Sequence, residues 1–335
     1  MILRPKPSLS HRAPPLGNEP DAPVVPVPSW LRRTVEAART LEDAAIAAGA
    51  AIGALDAVVR RQERWAGAWR HLALSAAAVT ARQVGRVEDE LALRDAVFLT
   101  RPGDDVGPAG SLLLAWRRLA LLPAEHPLAG DGIAVVLDEF GLARDDEAAS
   151  DLAGDLRQLS GAVGVVEVLN GAFAIAERYG FGRNFGAWLA DALLAQRLGW
   201  SHAVPLGTQS PVSGASAGSA RRARSAIGLT EPDLAKSTVR VQGLLLAQAR
   251  AALRAIDLST ELGRRAERLL TAAPKLRAKG ADLVVERLLS DDAVVASEKI
   301  AGMSDRGLRR LFDRLVDLGA VRELSGRSTF RIYGL

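Results

Sequence analysis

The stretch Met303–Leu335, MSDRGLRRLFDRLVDLGAVRELSGRSTFRIYGL, decides how the end of the chain is read. Ser304 stands as an N-cap, and Asp305 occupies a first turn where the helix dipole favours an acid. Leu308, Leu311, Phe312, Leu315, Val316 and Leu318 then recur at helical spacing and form one apolar stripe. Arg306, Arg309, Arg310, Asp313 and Arg314 are left facing outward, and Gly319 ends the helix. The residues beyond Gly319 read as a small β-hairpin: Ser325-Gly326 signals a turn, with Phe330 and Ile332 alternating against Thr329 and Arg331.

Working upstream, KLRAKGADLVVERLLSDD from Lys275 spaces Leu276, Leu283, Val284 and Leu288 as a first helix, and VVASEKIAG from Val294 fits a second, shorter one. Helix, short helix, turn, amphipathic helix, hairpin is the winged-helix order, assigned to residues 274–335. A helix fits the major groove, and arginine is the best donor to guanine, so Arg306, Arg309, Arg310 and Arg314 are candidates for contact with duplex DNA. Arg327 and Arg331 on the wing would meet phosphates. Asp305, Asp313 and Asp317 dilute this positive face, and small winged helices also serve as protein-interaction adaptors.

The rest of the 335-residue chain is expected to be mostly α, a multi-helix N-terminal bundle. Apolar residues make up 48% and aromatic residues only 4%, with alanine and leucine dominant. Residues 1–28 hold half of the 16 prolines and read as a disordered leader. Residues 29–204 form a helical domain, with Ser29 and Thr40 as candidate N-caps; GAVGVVEVLNGAFAIAERYG from Gly161 has helical periodicity, while its first half, GAVGVVEVL, is β-branched enough to admit a strand as well. All six tryptophans lie between Trp30 and Trp200, as core anchors. Residues 205–228 are Gly/Ser-rich and read as a linker or loop, and residues 229–273 as one or two long helices ended by Pro274. The cores on either side of Pro274 read as separately closed.

The net charge is +4 and the isoelectric point is about 9.8, both owed almost wholly to arginine. Cysteine is absent, and His11, His71, His126 and His202 lack metal-ligand spacing, so no metal or other cofactor is expected. The apolar runs are too short to span a bilayer, which points to a cytoplasmic protein without membrane contact. A homodimer built through the bundle is an expected assembly.

RPGDDVGPAG is the most conspicuous loop: Arg101, Asp104 and Asp105 offer a polar site for a ligand. The same residues also suit architecture, since acids bond loop amides and Pro108 can open a helix. GFGRNFGAW from Gly180 matches neither a dinucleotide nor a Walker spacing. Paired acids such as Asp138 with Glu139 have no assignable partner, so no catalytic set emerges and a non-enzymatic role is expected.

Three passages, LRDAVFLTRPGDDVGPAGSLLLAWRRLA, WLADALLAQRLGW and APKLRAKGADLVVERLLSDDAV, together with the terminal stretch, resemble the bacterial Domain of Unknown Function 1403 family. The resemblance covers most of residues 30–335 and implies no activity, cofactor or site residue. The ending also looks like the helix-turn-helix tail of some Fic-type proteins, but the H-P-F-x-D-G-N-G-R signature is absent, so no AMP transfer is implied.

Overall fold

Alanine runs broken by leucine at helical spacing make helices with shallow surfaces, which can pack closely. The computed structural model describes residues 27–61, 67–101, 103–124, 126–128, 130–142, 146–161, 164–208, 231–327 and 329–335. The fold is mostly α. Among the described residues nine α-helices come first: α1 (Ser29–Ala37), α2 (Leu41–Val59), α3 (Gly67–Gln83), α4 (Glu90–Phe98), α5 (Gly107–Leu121), α6 (Gly130–Glu139), α7 (Asp146–Ser160), α8 (Val165–Arg178) and α9 (Gly182–Leu198). A single 42-residue helix, α10 (Glu231–Ala272), comes next and runs about 60 Å.

The most extensive helix pair is α2 on α10. Thr40 caps α2 by accepting from the Asp43 amide at 3.2 Å, and Ala44, Ala47, Ala48, Ala51, Ile52 and Leu55 are buried. Arg32 of α1 holds Asp257 of α10 at 2.9 Å. The pair α8–α9 is almost as tight: a Cβ on Gly186 would lie 2.8 Å from the Phe173 ring. Trp116 and Trp188 are fully buried and their indole N–H groups are satisfied, by Thr80 Oγ1 at 3.0 Å and the Ala115 carbonyl at 2.9 Å.

Of the two readings of GAVGVVEVL, the helical one holds for its described second half: Val165–Leu169 opens α8, whose buried Val168, Leu169 and Ala172 match helical spacing. Ser29 lies inside α1, whose N-cap is Pro28. Trp30 is 50% exposed and anchors no core. Residues 205–208, assigned to the linker, are buried, and Gly207 at φ +58° passes so near Ala76 that a Cβ would lie 2.8 Å from it. Residues 209–230, and residues 1–26 of the proline-rich leader, lie outside the described residues.

After a 3-10 turn at Ala273–Lys275, the chain forms α11 (Ala281–Ser290), β1 (Val294–Val295), α12 (Asp305–Asp317), β2 (Arg322–Glu323) and β3 (Ile332–Gly334). The expected second helix at 294–302 does not form. Val294 and Val295 pair instead with Tyr333 and Ile332, and the chain then turns at 296–297 and again at 301–302, with Gly302 at φ +78°. The sheet is antiparallel and three-stranded, in the order β1-β3-β2. Phe312 stacks on Tyr333 with centroids 4.2 Å apart, fixing α12 on the sheet.

Two apolar cores result, and α10 belongs to both. Leu244 to Ile256 enter the bundle core, whereas Leu262, Ala266, Leu269 and Ala272 pack with Val284, Leu288, Leu308, Phe312 and Leu315. The terminal core therefore reaches some twelve residues upstream of Pro274, and the two cores are not separately closed there.

Candidate nucleic-acid interface

Helix α12 begins as its sequence directs, with Ser304 Oγ accepting from the Gly307 amide at 3.2 Å. Leu308, Leu311, Phe312 and Leu315 are buried, so Arg306, Arg309, Arg310 and Arg314 stand on the solvent face. None of these four is in an ion pair with a described residue. Asp305, Asp313 and Asp317 share that face. Val316 and Leu318, expected in the buried stripe, lie at its margin, with Val316 exposed.

The two wing arginines are placed differently. Arg327 reaches back to the bundle and pairs with Asp95 of α4 at 2.6 Å. Arg331 lies 3.9 Å from Asp313, and a hydrogen bond to Tyr333 pushes its guanidinium further up from its ordinary value. The wing itself is braced. Glu323 accepts from the amides of Ser325 and Gly326 at 2.9 and 3.1 Å, and Arg94 donates to the Leu324 carbonyl at 3.0 Å. Between wing and helix runs a groove of about 550 Å³ bordered by Asp313, Asp317, Glu323, Arg327 and Arg331. Phe330 departs from the expected alternation: Ile332 is buried, but Phe330 adopts φ +56° and is 65% exposed.

A seam of charges fastens this unit to the bundle. Arg117 of α5 makes two hydrogen bonds to the carboxylate of Asp292, at 2.6 and 2.7 Å, with both side chains nearly buried. Arg70 of α3 and Arg287 hold Asp291, the latter at 2.8 Å. His71 lies beside them. Burial pushes its imidazole below the ordinary value, partly offset by Asp292 and reinforced by Arg94, Arg265 and Arg117. Nothing in the sequence pattern names these partners, yet one signal was present: two acids at the C-terminal end of a helix oppose its dipole. Such a placement needs cations, and here the bundle supplies them.

The other candidate, the loop at Arg101, is engaged in local structure. The Asp104 amide bonds the Arg101 carbonyl at 3.0 Å, Asp105 accepts from the Gly107 amide at 2.7 Å, and Pro108 sits in the first turn of α5. Arg101, Asp104 and Asp105 are all exposed. Among the described residues no group of three or more His, Cys, Asp or Glu could hold a metal ion, and no helix is long and apolar enough to cross a membrane.

Comparison with curated proteins returned no match, and neither did comparison with solved structures. A family model does match, over residues 18–335, which takes in every described residue of the bundle, the seam and the terminal unit. The chain thus belongs to the family described as "Protein of unknown function (DUF1403)".

Proposed function

We propose that this protein binds duplex DNA through its terminal unit, with α12 as the helix that enters the major groove. The observation that carries the reading is the set of four exposed arginines on the solvent face of one helix, Arg306, Arg309, Arg310 and Arg314 of α12, free of ion pairs with described residues. Support also comes from the order α11, β1, α12, β2, β3 with β3 central, an arrangement that suits a winged helix even though a turn replaces its second helix. Arg306 and Arg310 lie one turn apart near the N-terminus of α12, where side chains reach base edges.

The test is a titration of parent and variants against a preferred and a scrambled duplex at several salt concentrations. Arg306→Ala or Arg310→Ala is expected to weaken the preferred duplex roughly tenfold or more and to blur its preference. If both variants bind both duplexes as the parent does, α12 does not touch DNA. The acids along the groove, Asp313, Asp317 and Glu323, would then favour a protein partner instead.

A further inference from the structure

Among the described residues Phe330 is the one non-glycine with positive φ, and it is also the most exposed aromatic ring. Both features are unfavourable alone. A left-handed backbone strains an L-residue with a branched or bulky side chain, and an exposed ring forfeits the burial that Ile332, two residues on, obtains. A strand continuing through Phe330 would turn the ring inward, as the alternation with Ile332 predicts. The chain instead turns at this residue and presents the ring to solvent.

The turn before the ring is braced: Glu323 caps Ser325-Gly326, Arg94 holds the Leu324 carbonyl and Asp95 holds Arg327, while the Leu324 amide donates to the Ile332 carbonyl at 2.7 Å across the base of the loop. A ring on a braced support loses little freedom on insertion into a partner. The loop's composition indicates which partner. Ser325–Arg331 reads SGRSTFR; with Arg327 held by Asp95, it still offers Arg331, two serines and a threonine, and it has no acid. That set matches a phosphate-lined groove and not a basic or apolar protein surface.

Building on the DNA reading of α12, we propose that Phe330 is an apolar wedge that enters the minor groove beside the α12 site and rests between base steps. Apolar side chains inserted there unstack a step and bend the duplex, and their contribution is insensitive to salt because no counterion is released. Arg331, next in the chain, would track the adjoining phosphate.

The test uses the full chain and short duplexes carrying 2-aminopurine at successive positions outside the α12 footprint, a base whose fluorescence rises on unstacking. The parent is expected to raise fluorescence at one position. Phe330→Ala should abolish that rise and weaken binding about tenfold with an unchanged salt slope, while Phe330→Leu, which keeps an apolar wedge, should retain most of both. Phe330→Gly, whose residue suits this φ, repeats the alanine test in a variant that relieves the strain. The wedge is overturned if Phe330→Ala and Phe330→Gly bind with parent affinity and parent fluorescence. It is equally overturned if they abolish self-association of the parent in sedimentation while leaving DNA binding intact, since the ring then covers a protein surface. A failed wedge leaves the Arg306→Ala and Arg310→Ala losses standing. A parent that binds no duplex at low salt removes the DNA reading itself.

Discussion

Asp191 lies in the middle of α9, fully buried, and accepts from the Gly207 amide at 2.8 Å. Burial outweighs that hydrogen bond and pushes its carboxyl up to about 8. The folded state therefore binds a proton near pH 7 that the unfolded chain has released. This contribution to stability is complete below about pH 4, declines by roughly 1.4 kcal/mol per pH unit above it and levels off beyond about 8. Asp191→Asn cannot ionise, so denaturant unfolding measured across this window should show a flatter pH profile and a variant more stable than the parent at pH 9. An equal slope in both would show that Asp191 is ionised in the fold. This residue was legible in kind but not in consequence: WLADALLAQ shows an acid in an apolar run, yet only a helix buried all round, as Phe185–Ala195 is, denies it water. Phe330 marks the opposite failure. Its side-chain period was right for a strand, and a single backbone angle reversed the outcome.

At the scale of elements, the helices were readable because alanine, leucine and caps such as Thr40 and Ser304 act locally. The short helix expected at Val294 was not, because β-branched residues next to an edge of β3 gain more from pairing than from one helical turn. Nor could the seam be read, since Arg117 and Asp292 are 175 residues apart. The Arg117–Asp292 pair of the seam and the Asp95–Arg327 pair under the wing should respond differently to mutation. Arg117→Ala strands Asp292 as a buried, unpaired charge and is expected to cost about 3–5 kcal/mol of stability by denaturant unfolding. Asp95→Ala removes a pair whose arginine is half exposed, and should cost well under about 1 kcal/mol. On the DNA reading it also releases Arg327 to a phosphate, so duplex binding should strengthen and its salt slope should steepen by about one. An unchanged slope in Asp95→Ala would mean that Arg327 serves only as a brace.

For the whole molecule, α10 is the shared member, and its last three turns belong to the terminal core. A chain ended after Ala273 should therefore expose Leu262, Ala266 and Leu269, bind a hydrophobic dye and unfold at lower denaturant than the parent. A monomeric product with parent stability and no dye binding would show instead that the bundle closes without its terminal unit. The Pro274 boundary suggested itself because proline ends a helix, but where a helix ends and where a core ends are separate questions. The pairing of α2 with α10 carries a consequence for how the protein is made. Arg32 and Asp257 are separated by 225 residues, so at about 5–20 residues per second the first helices leave the ribosome roughly 10–45 s before their partner. Throughout that interval the alanine face of α2 is without its match, and on a crowded message the nearest complementary α10 belongs to the chain ahead. Synthesis at high density should therefore yield intertwined dimers that exchange α1 and α2, and slowing initiation should suppress them.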